Sequence, residues 1–223
     1  IMGSPFYKSI TQWSKGEYTN ANQLQNDLNI IVSQNNSVAY RTDDAGPAHD
    51  TAAELEIFGS GTVDDEGTIS HYSDVDAFRF TTIGGALNLA ISPVAQGPNL
   101  DISAAIYDAA GNPIIVDNPD TALNATLSTT LAAGEYTVRV EGVGRGDPLT
   151  TRYSDYGSLG QYTITGTIAG TTGPTRLTIA ENAALGAGVG TPTPRNDHGA
   201  ASLTWAITAG NTNSAFTINP TTG

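Results

Sequence analysis

Two aspartates one residue apart, Asp74 and Asp76 in Ser73-Asp74-Val75-Asp76-Ala77-Phe78, are the residues whose type and spacing point most directly to chemistry. They share parity with Phe78 and Phe80, so on a strand all four side chains face the inner side. A carboxylate taken out of water must be met by a cation or by hydrogen-bond donors. Three roles are open to the pair: caps for neighbouring loop N–H groups, ligands of a calcium ion fed by carboxylate and carbonyl oxygens, or a catalytic acid pair. The last lacks a third group or a cleft. Asp64-Asp65-Glu66 form a charge run just upstream, expected in solvent with the option of lending a ligand.

Other reaction chemistries find no residues here. The histidines, His49, His71 and His198, do not form the HExxH of a zinc helix. A GxSxG nucleophile elbow and a GxxxxGK[ST] phosphate loop are both absent. Gly142-Val143-Gly144-Arg145-Gly146 is not followed by a helical pattern and reads as a tight β connection. Arg145-Gly146-Asp147 spells an adhesion tripeptide, but three common residues often meet by chance. Asn35 and Asn124 open N-x-[ST] sequons, which matter only in a eukaryotic source. With no cysteine, disulfides, thiolate zinc sites and thiol catalysis are excluded, whereas secretion is not.

The elements that would position these residues are mostly strands. Leu24, Leu28 and Ile31 recur at helical spacing, which predicts a helix near residues 22–33 with Asn22 as its cap. Asp43-Asp44-Ala45-Gly46-Pro47 reads as a linker. From there to Ile168 the period is two: Phe78/Phe80, Leu87/Leu89/Ile91, Leu100/Ile102/Ala104/Ile106, Leu123/Ala125/Leu127, Tyr136/Val138/Val140 and Tyr162/Ile164 alternate with polar residues. Asp108–Pro113 and Ala132-Ala133-Gly134-Glu135 read as hairpin-like turns. An antiparallel β-sandwich or jelly roll is expected, without the βαβ rhythm of a dinucleotide-binding fold. A second linker, Ala169–Pro174, precedes a short β unit with Leu177/Ile179, Leu203/Trp205/Ile207 and Phe216/Ile218, too small to close a sandwich.

Composition bounds the partners. Of 223 residues, 22 are acidic and 9 are Lys or Arg, a formal charge of −13. Such a surface repels phosphate backbones and anionic lipid heads, so neither nucleic acid nor a membrane surface is an expected partner. No apolar run approaches the roughly 20 residues of a spanning helix. The chain opens on Ile1 without the order of a signal peptide and stops within a strand-and-turn pattern, so both ends are expected to be cuts in a longer protein.

Three stretches resemble known families. Ile1-Met2-Gly3, then Thr11-Gln12-Trp13-Ser14-Lys15-Gly16-Glu17-Tyr18 and Asn26-Asp27-Leu28, resemble the end of a secreted bacterial metzincin-type zinc metallopeptidase. The resemblance implies that Met2 is the methionine of the turn beneath the zinc, with the zinc ligands upstream of residue 1. Gly67-Thr68-Ile69, Asp74-Val75-Asp76-Ala77-Phe78, Ala133-Gly134-Glu135-Tyr136 and Tyr153-Ser154-Asp155-Tyr156-Gly157-Ser158-Leu159-Gly160-Gln161-Tyr162 resemble the bacterial pre-peptidase C-terminal domain. That family is a β-sandwich appended to secreted peptidases, some members of which bind calcium or insoluble substrates. Glu181-Asn182, Asp197 before Gly199, and Gly210-Asn211 with Phe216–Gly223 resemble the start of a cadherin-like repeat. Glu181 and Asp197 would match its calcium-ligating acids, and Arg195 departs from the pattern by standing where a paired acid is expected.

The expected organisation is therefore 1–42, the tail of a peptidase domain; 43–169, the β-sandwich; and 170–223, a partial cadherin-like unit. The function implied is the non-catalytic C-terminal region of a secreted zinc metallopeptidase, serving export, stability or substrate attachment. Its expected partners are its own catalytic domain and an extracellular protein or polysaccharide. Zinc belongs to the parent's catalytic domain only. Calcium is expected at Asp74, Asp76, Glu181 and Asp197, and the chain alone should hydrolyse no peptide. Two alternatives are a calcium-rigidified spacer of a surface adhesin and a carbohydrate-binding module, for which Tyr153 and Tyr156 are the candidate platform.

Overall fold

The computed structural model describes residues 10, 13–33, 37–150, 152–171, 183–189, 206–207, 211 and 214–221. The alternating series fold into strands β1 (Ala53–Glu54), β2 (Ile57–Phe58), β3 (Thr62–Ile69), β4 (Val75–Thr82), β5 (Gly85–Pro93), β6 (Ile102–Asp108), β7 (Pro113–Asp117), β8 (Ala125–Leu131), β9 (Gly134–Gly142) and β10 (Gly160–Ile168). Among the described residues they form two five-stranded sheets, ordered β1-β4-β9-β6-β7 and β2-β3-β10-β5-β8. All pairings are antiparallel except β1 with β4, so the fold is a mainly β sandwich.

Parity decides what lies between the sheets. Phe78, Phe80, Ile102, Ile106, Val138 and Val140 of one sheet face Leu87, Leu89, Ile91, Leu127, Tyr162 and Ile164 of the other in one buried cluster. Their polar neighbours, such as Thr163, Thr165, Asn88 and Ser128, fall on the outer faces, as period-two patterning requires.

Of the two connections read as hairpin-like, one is a hairpin and the other is not. Asp108–Asn112 does close the β6–β7 hairpin, with Asp108 Oδ1 accepting from the N–H groups of Ala110 and Asn112. Ala132-Ala133, by contrast, carries the chain from β8 in one sheet to β9 in the other, so it is a crossing and not a hairpin. Ile83-Gly84 makes the parallel crossing from β4 to β5, with Gly84 and Gly85 at φ of 103° and 138°. Two crossings side by side carry consecutive strands into opposite sheets, and short-range turn chemistry does not distinguish that from a hairpin.

The helix, α1, spans only Asp27–Ser33. Its N-terminus is capped by Asn26, whose Oδ1 accepts from Asn29 N at 2.8 Å; Asn22 plays no such part, and Leu24 lies exposed ahead of the helix. The periodic signal began too early because Leu28 alone of the three apolar residues is buried. Tertiary contacts hold this segment on the sandwich. The Tyr156 hydroxyl donates to Asn26 Oδ1 and accepts from Leu28 N, at 2.8 and 2.9 Å, while the Lys15 ammonium lies 4.9 Å from the Tyr156 ring centroid.

Candidate metal centre

Asp76 occupies an inward position near the start of β4, and opposite it stands the cross-strand pair Gly67 of β3 and Tyr162 of β10. Gly67 brings no side chain into the space that the Tyr162 phenol fills. A Cβ there would meet Tyr162 Oη at 2.3 Å and Asp76 Oδ2 at 3.0 Å. The phenol donates to Asp76 Oδ2 at 2.5 Å, satisfying one carboxylate oxygen. The other, Oδ1, is buried without a hydrogen-bond partner, and Asp76 as a whole is 0% exposed. An unmatched carboxylate oxygen in a core is costly, so its surroundings must be explained.

Close to the Asp76 carboxylate lies the segment leading into β1. Asp43 and Asp44, both exposed, bring carboxylate oxygens to within 4.8 Å of one another and of Asp76. That segment is pinned because Ala45 is buried in the core and its N–H donates to Asp43 Oδ1 at 3.0 Å. Burial pushes the Asp76 pKa up to about 8; the Tyr162 hydrogen bond opposes the shift, and the carboxylates of Asp44, Asp74 and Asp43 add to it. Asp44 is likewise raised, first by burial and then by Asp74, with Arg41 only partly offsetting. Two exposed carboxylates converge on a buried, half-satisfied third, an arrangement whose chemistry suits a shared cation. The donors are all oxygens, the preference of hard cations such as calcium and magnesium rather than zinc or copper.

Of the residues expected to bind calcium, Asp76 is in this cluster and Asp74 is not. Asp74 precedes β4, and its Oδ2 accepts from Ser70 N and Ser70 Oγ at 2.6 and 2.9 Å, the loop-capping role. Strand parity misplaced it because the strand begins only at Val75. Met2, Glu181 and Asp197 lie outside the described residues. Asp43 and Asp44 read in the sequence as linker; their signal was an acidic pair in a base-poor chain, next to Gly46-Pro47. Asp65 departs from the solvated run expected of it, because it sits within β3. Its carboxylate accepts from Glu56 N and Glu66 N, both at 2.8 Å, and burial raises its pKa.

Packing also settles two other candidates. Arg145 is withdrawn from solvent, its guanidinium meeting Asp101 Oδ1 at 3.2 Å and the carbonyls of Ala122 and Pro119 at 2.8 and 3.3 Å. The tripeptide it opens is therefore not displayed for recognition. Tyr153 gives its hydroxyl to Asp101 Oδ2 at 2.7 Å and Tyr156 is 1% exposed, so the two do not make an exposed stacking platform for sugars.

Replacement of Gly67 by alanine should break the centre from the inside. The new methyl displaces the Tyr162 phenol from Asp76, and overpacking of this kind costs about 1–3 kcal/mol. Urea denaturation checks it; a variant as stable as the parent would show that the phenol does not need this space.

None of the protein-family models matches the chain, and no curated protein matches it in sequence. Among solved structures, the pre-peptidase C-terminal domain of collagenase from Bacillus anthracis aligns over 50% of this chain and 93% of its own, at 12% identity and a TM-score of 0.33. CBM35 from Cellvibrio japonicus Abf62 aligns over 61% of this chain and 94% of its own, at 16% identity and a TM-score of 0.25. The likenesses are too remote to carry function, and the assignment to the mainly β sandwiches rests on the chain's own two facing sheets.

Proposed function

We propose that this chain is a non-catalytic, calcium-binding β-sandwich module that accompanies a secreted bacterial zinc metallopeptidase. The observation that carries the calcium reading is the Asp76 carboxylate, whose Oδ1 is buried without a hydrogen-bond partner and which has a carboxylate oxygen within 4.8 Å of those of Asp43 and Asp44. A calcium ion there would be held by the carboxylates of Asp43, Asp44 and Asp76, oxygen donors of the kind it prefers. It joins the segment before β1 to the core through Asp76, so its binding free energy becomes folding free energy of the module. Support for the accessory role comes from the packed segment of residues 13–33, which is tied to the sandwich through Tyr156 and Lys15. A stretch resembling the end of a peptidase domain is thus held against the module. Extracellular deployment, where calcium is plentiful, agrees with the −13 charge and with the absence of cysteine.

Terbium luminescence tests the site, because Tyr162 is bonded to the central ligand and serves as the sensitiser. Excitation of tyrosine should give terbium emission that calcium displaces. The double variant Asp43→Asn, Asp44→Asn should weaken binding by more than about a hundredfold, beyond the usual effect of losing a supporting group. Emission that is absent, or unchanged in the double variant, refutes the proposal.

A further inference from the structure

We propose that the Asp147–Pro148 peptide bond is a self-cleavage site, hydrolysed within the folded chain with the Asp147 carboxylate as nucleophile. It is the one Asp–Pro sequence in the 223 residues. It lies in the loop after β9, whose ends are clamped together: Arg145 N donates to Tyr153 O at 2.7 Å and Tyr153 N to Arg145 O at 3.1 Å. The Arg145 side chain is anchored on buried Asp101. Within that closed loop Gly146 takes a φ of 60°, where a Cβ would meet Arg152 Cγ at 2.4 Å, so the turn into Asp147 is tightly constrained.

The carbonyl oxygen of the Asp147–Pro148 bond accepts three hydrogen bonds: from Thr150 N at 3.1 Å, Thr150 Oγ1 at 3.0 Å and Arg152 N at 3.3 Å. Donors converging on one carbonyl polarise it and stabilise the oxyanion that forms when it is attacked. The nucleophile is held alongside. Asp147 Oδ1 accepts from Leu149 N at 2.9 Å, which restricts the side-chain torsion and removes much of the rotational entropy from the approach. Asp147 is exposed, so water has access. The leaving group is the nitrogen of a tertiary amide, which departs as a secondary amine once protonated.

The steps balance without an oxidant or a reductant. Asp147 Oδ2 attacks its own main-chain carbonyl carbon, forming a C–O bond and a tetrahedral oxyanion held by the three donors. The oxyanion collapses, the C–N bond to Pro148 breaks, and the proline nitrogen takes a proton from solvent. Asp147 is left as a five-membered cyclic anhydride. Water opens the anhydride to two carboxyl groups, and the net change is hydrolysis of one peptide bond. The sandwich survives the cut, because β10 remains paired with both β3 and β5. The scission severs the covalent path to everything after residue 147 while the pieces stay associated.

Intact-mass spectrometry after denaturation tests this on the full chain, incubated at mildly acidic and at neutral pH, folded or in urea, with peptidase inhibitors present. Fragments 1–147 and 148–223 should accumulate at acidic pH about tenfold or more faster from the folded chain than from the unfolded one. Asp147→Asn keeps the acceptor for Leu149 N but lacks the nucleophile, and should give no fragments on the same timescale. Thr150→Val removes one carbonyl donor and should slow the cut by about tenfold or more at an unchanged melting temperature. Equal rates in urea, no fragments, or wild-type cleavage by Asp147→Asn would each overturn the assignment.

Discussion

In buffer freed of divalent cations, the protein should lose stability as the pH is raised from about 4 to about 8, and millimolar calcium should restore it. The cause is Asp76. Its pKa is 3.8 in an ordinary setting and is pushed up to about 8 in the fold, chiefly by burial. Between those values the native state holds a proton that the unfolded chain has released, so stability falls as pH rises, at up to about 1.4 kcal/mol per pH unit. Asp44, Asp65 and Asp101 are shifted the same way, each mainly by burial, and steepen the decline. Calcium held at the proposed site should reverse the sign, because it would bind the ionised carboxylate and be helped by each proton lost. At a hundred times its Kd it should add about 2.7 kcal/mol. Asp76→Asn keeps an acceptor for the Tyr162 hydroxyl but carries no charge, so it should flatten the pH profile and abolish the calcium response together. Urea denaturation at pH 5 and pH 8, with chelator or with calcium, reads both effects. Calcium indifference of the parent protein at pH 8 would remove the basis for the site.

Arg145→Ala should destabilise the module by about 3–5 kcal/mol, because it leaves the Asp101 carboxylate buried without its cation. The Asp101 side chain is 1% exposed and that of Arg145 11%, at a separation of 3.2 Å. The guanidinium also holds the carbonyls of Pro119 and Ala122, so one residue joins the loop before β8 to the loop after β9. Arg152→Ala is the internal comparison. Its partner Asp120 is 74% exposed and 3.8 Å away, so its loss should cost no more than about 1 kcal/mol. Replacing Asp101 and Arg145 together by leucine and methionine should recover most of the loss, since the cost comes from the unpaired charge more than from the missing attraction. Comparable urea midpoints for Arg145→Ala and Arg152→Ala would contradict this account.

The Asp74/Asp76 pair shows where a pattern read along the chain stops being informative. Parity with Phe78 and Phe80 correctly turned Asp76 inward, because side chains alternate strictly once a strand has begun. Parity failed for Asp74 because the strand starts one residue later, and a turn residue obeys local hydrogen bonds instead. Asp65 failed in the opposite sense. Three consecutive charges look solvated, yet a strand must send every second residue inward, and β3 sends Asp65. Gly67 read only as part of a resemblance; its role as the space for Tyr162 requires knowing that β3 and β10 are neighbours.

The alternation of apolar and polar residues from β3 to β10 was legible along the chain, hence two half-buried sheets, and of the two carboxylates that parity turned inward Asp76 lies between them. The sequence by itself also excluded thiol chemistry and an HExxH helix within these 223 residues, because they hold no cysteine and no two histidines at that spacing. The tertiary structure decided which groups meet. Asp43 and Asp44 reach Asp76, Arg145 reaches Asp101, and Tyr156 reaches the helix N-terminus only because strands distant in sequence pair in one register and bring their loops to the same ends. Periodicity is a local property of consecutive residues, whereas a binding site is a coincidence of side chains from separate segments. Burial and charge converge at such places only after the chain has closed.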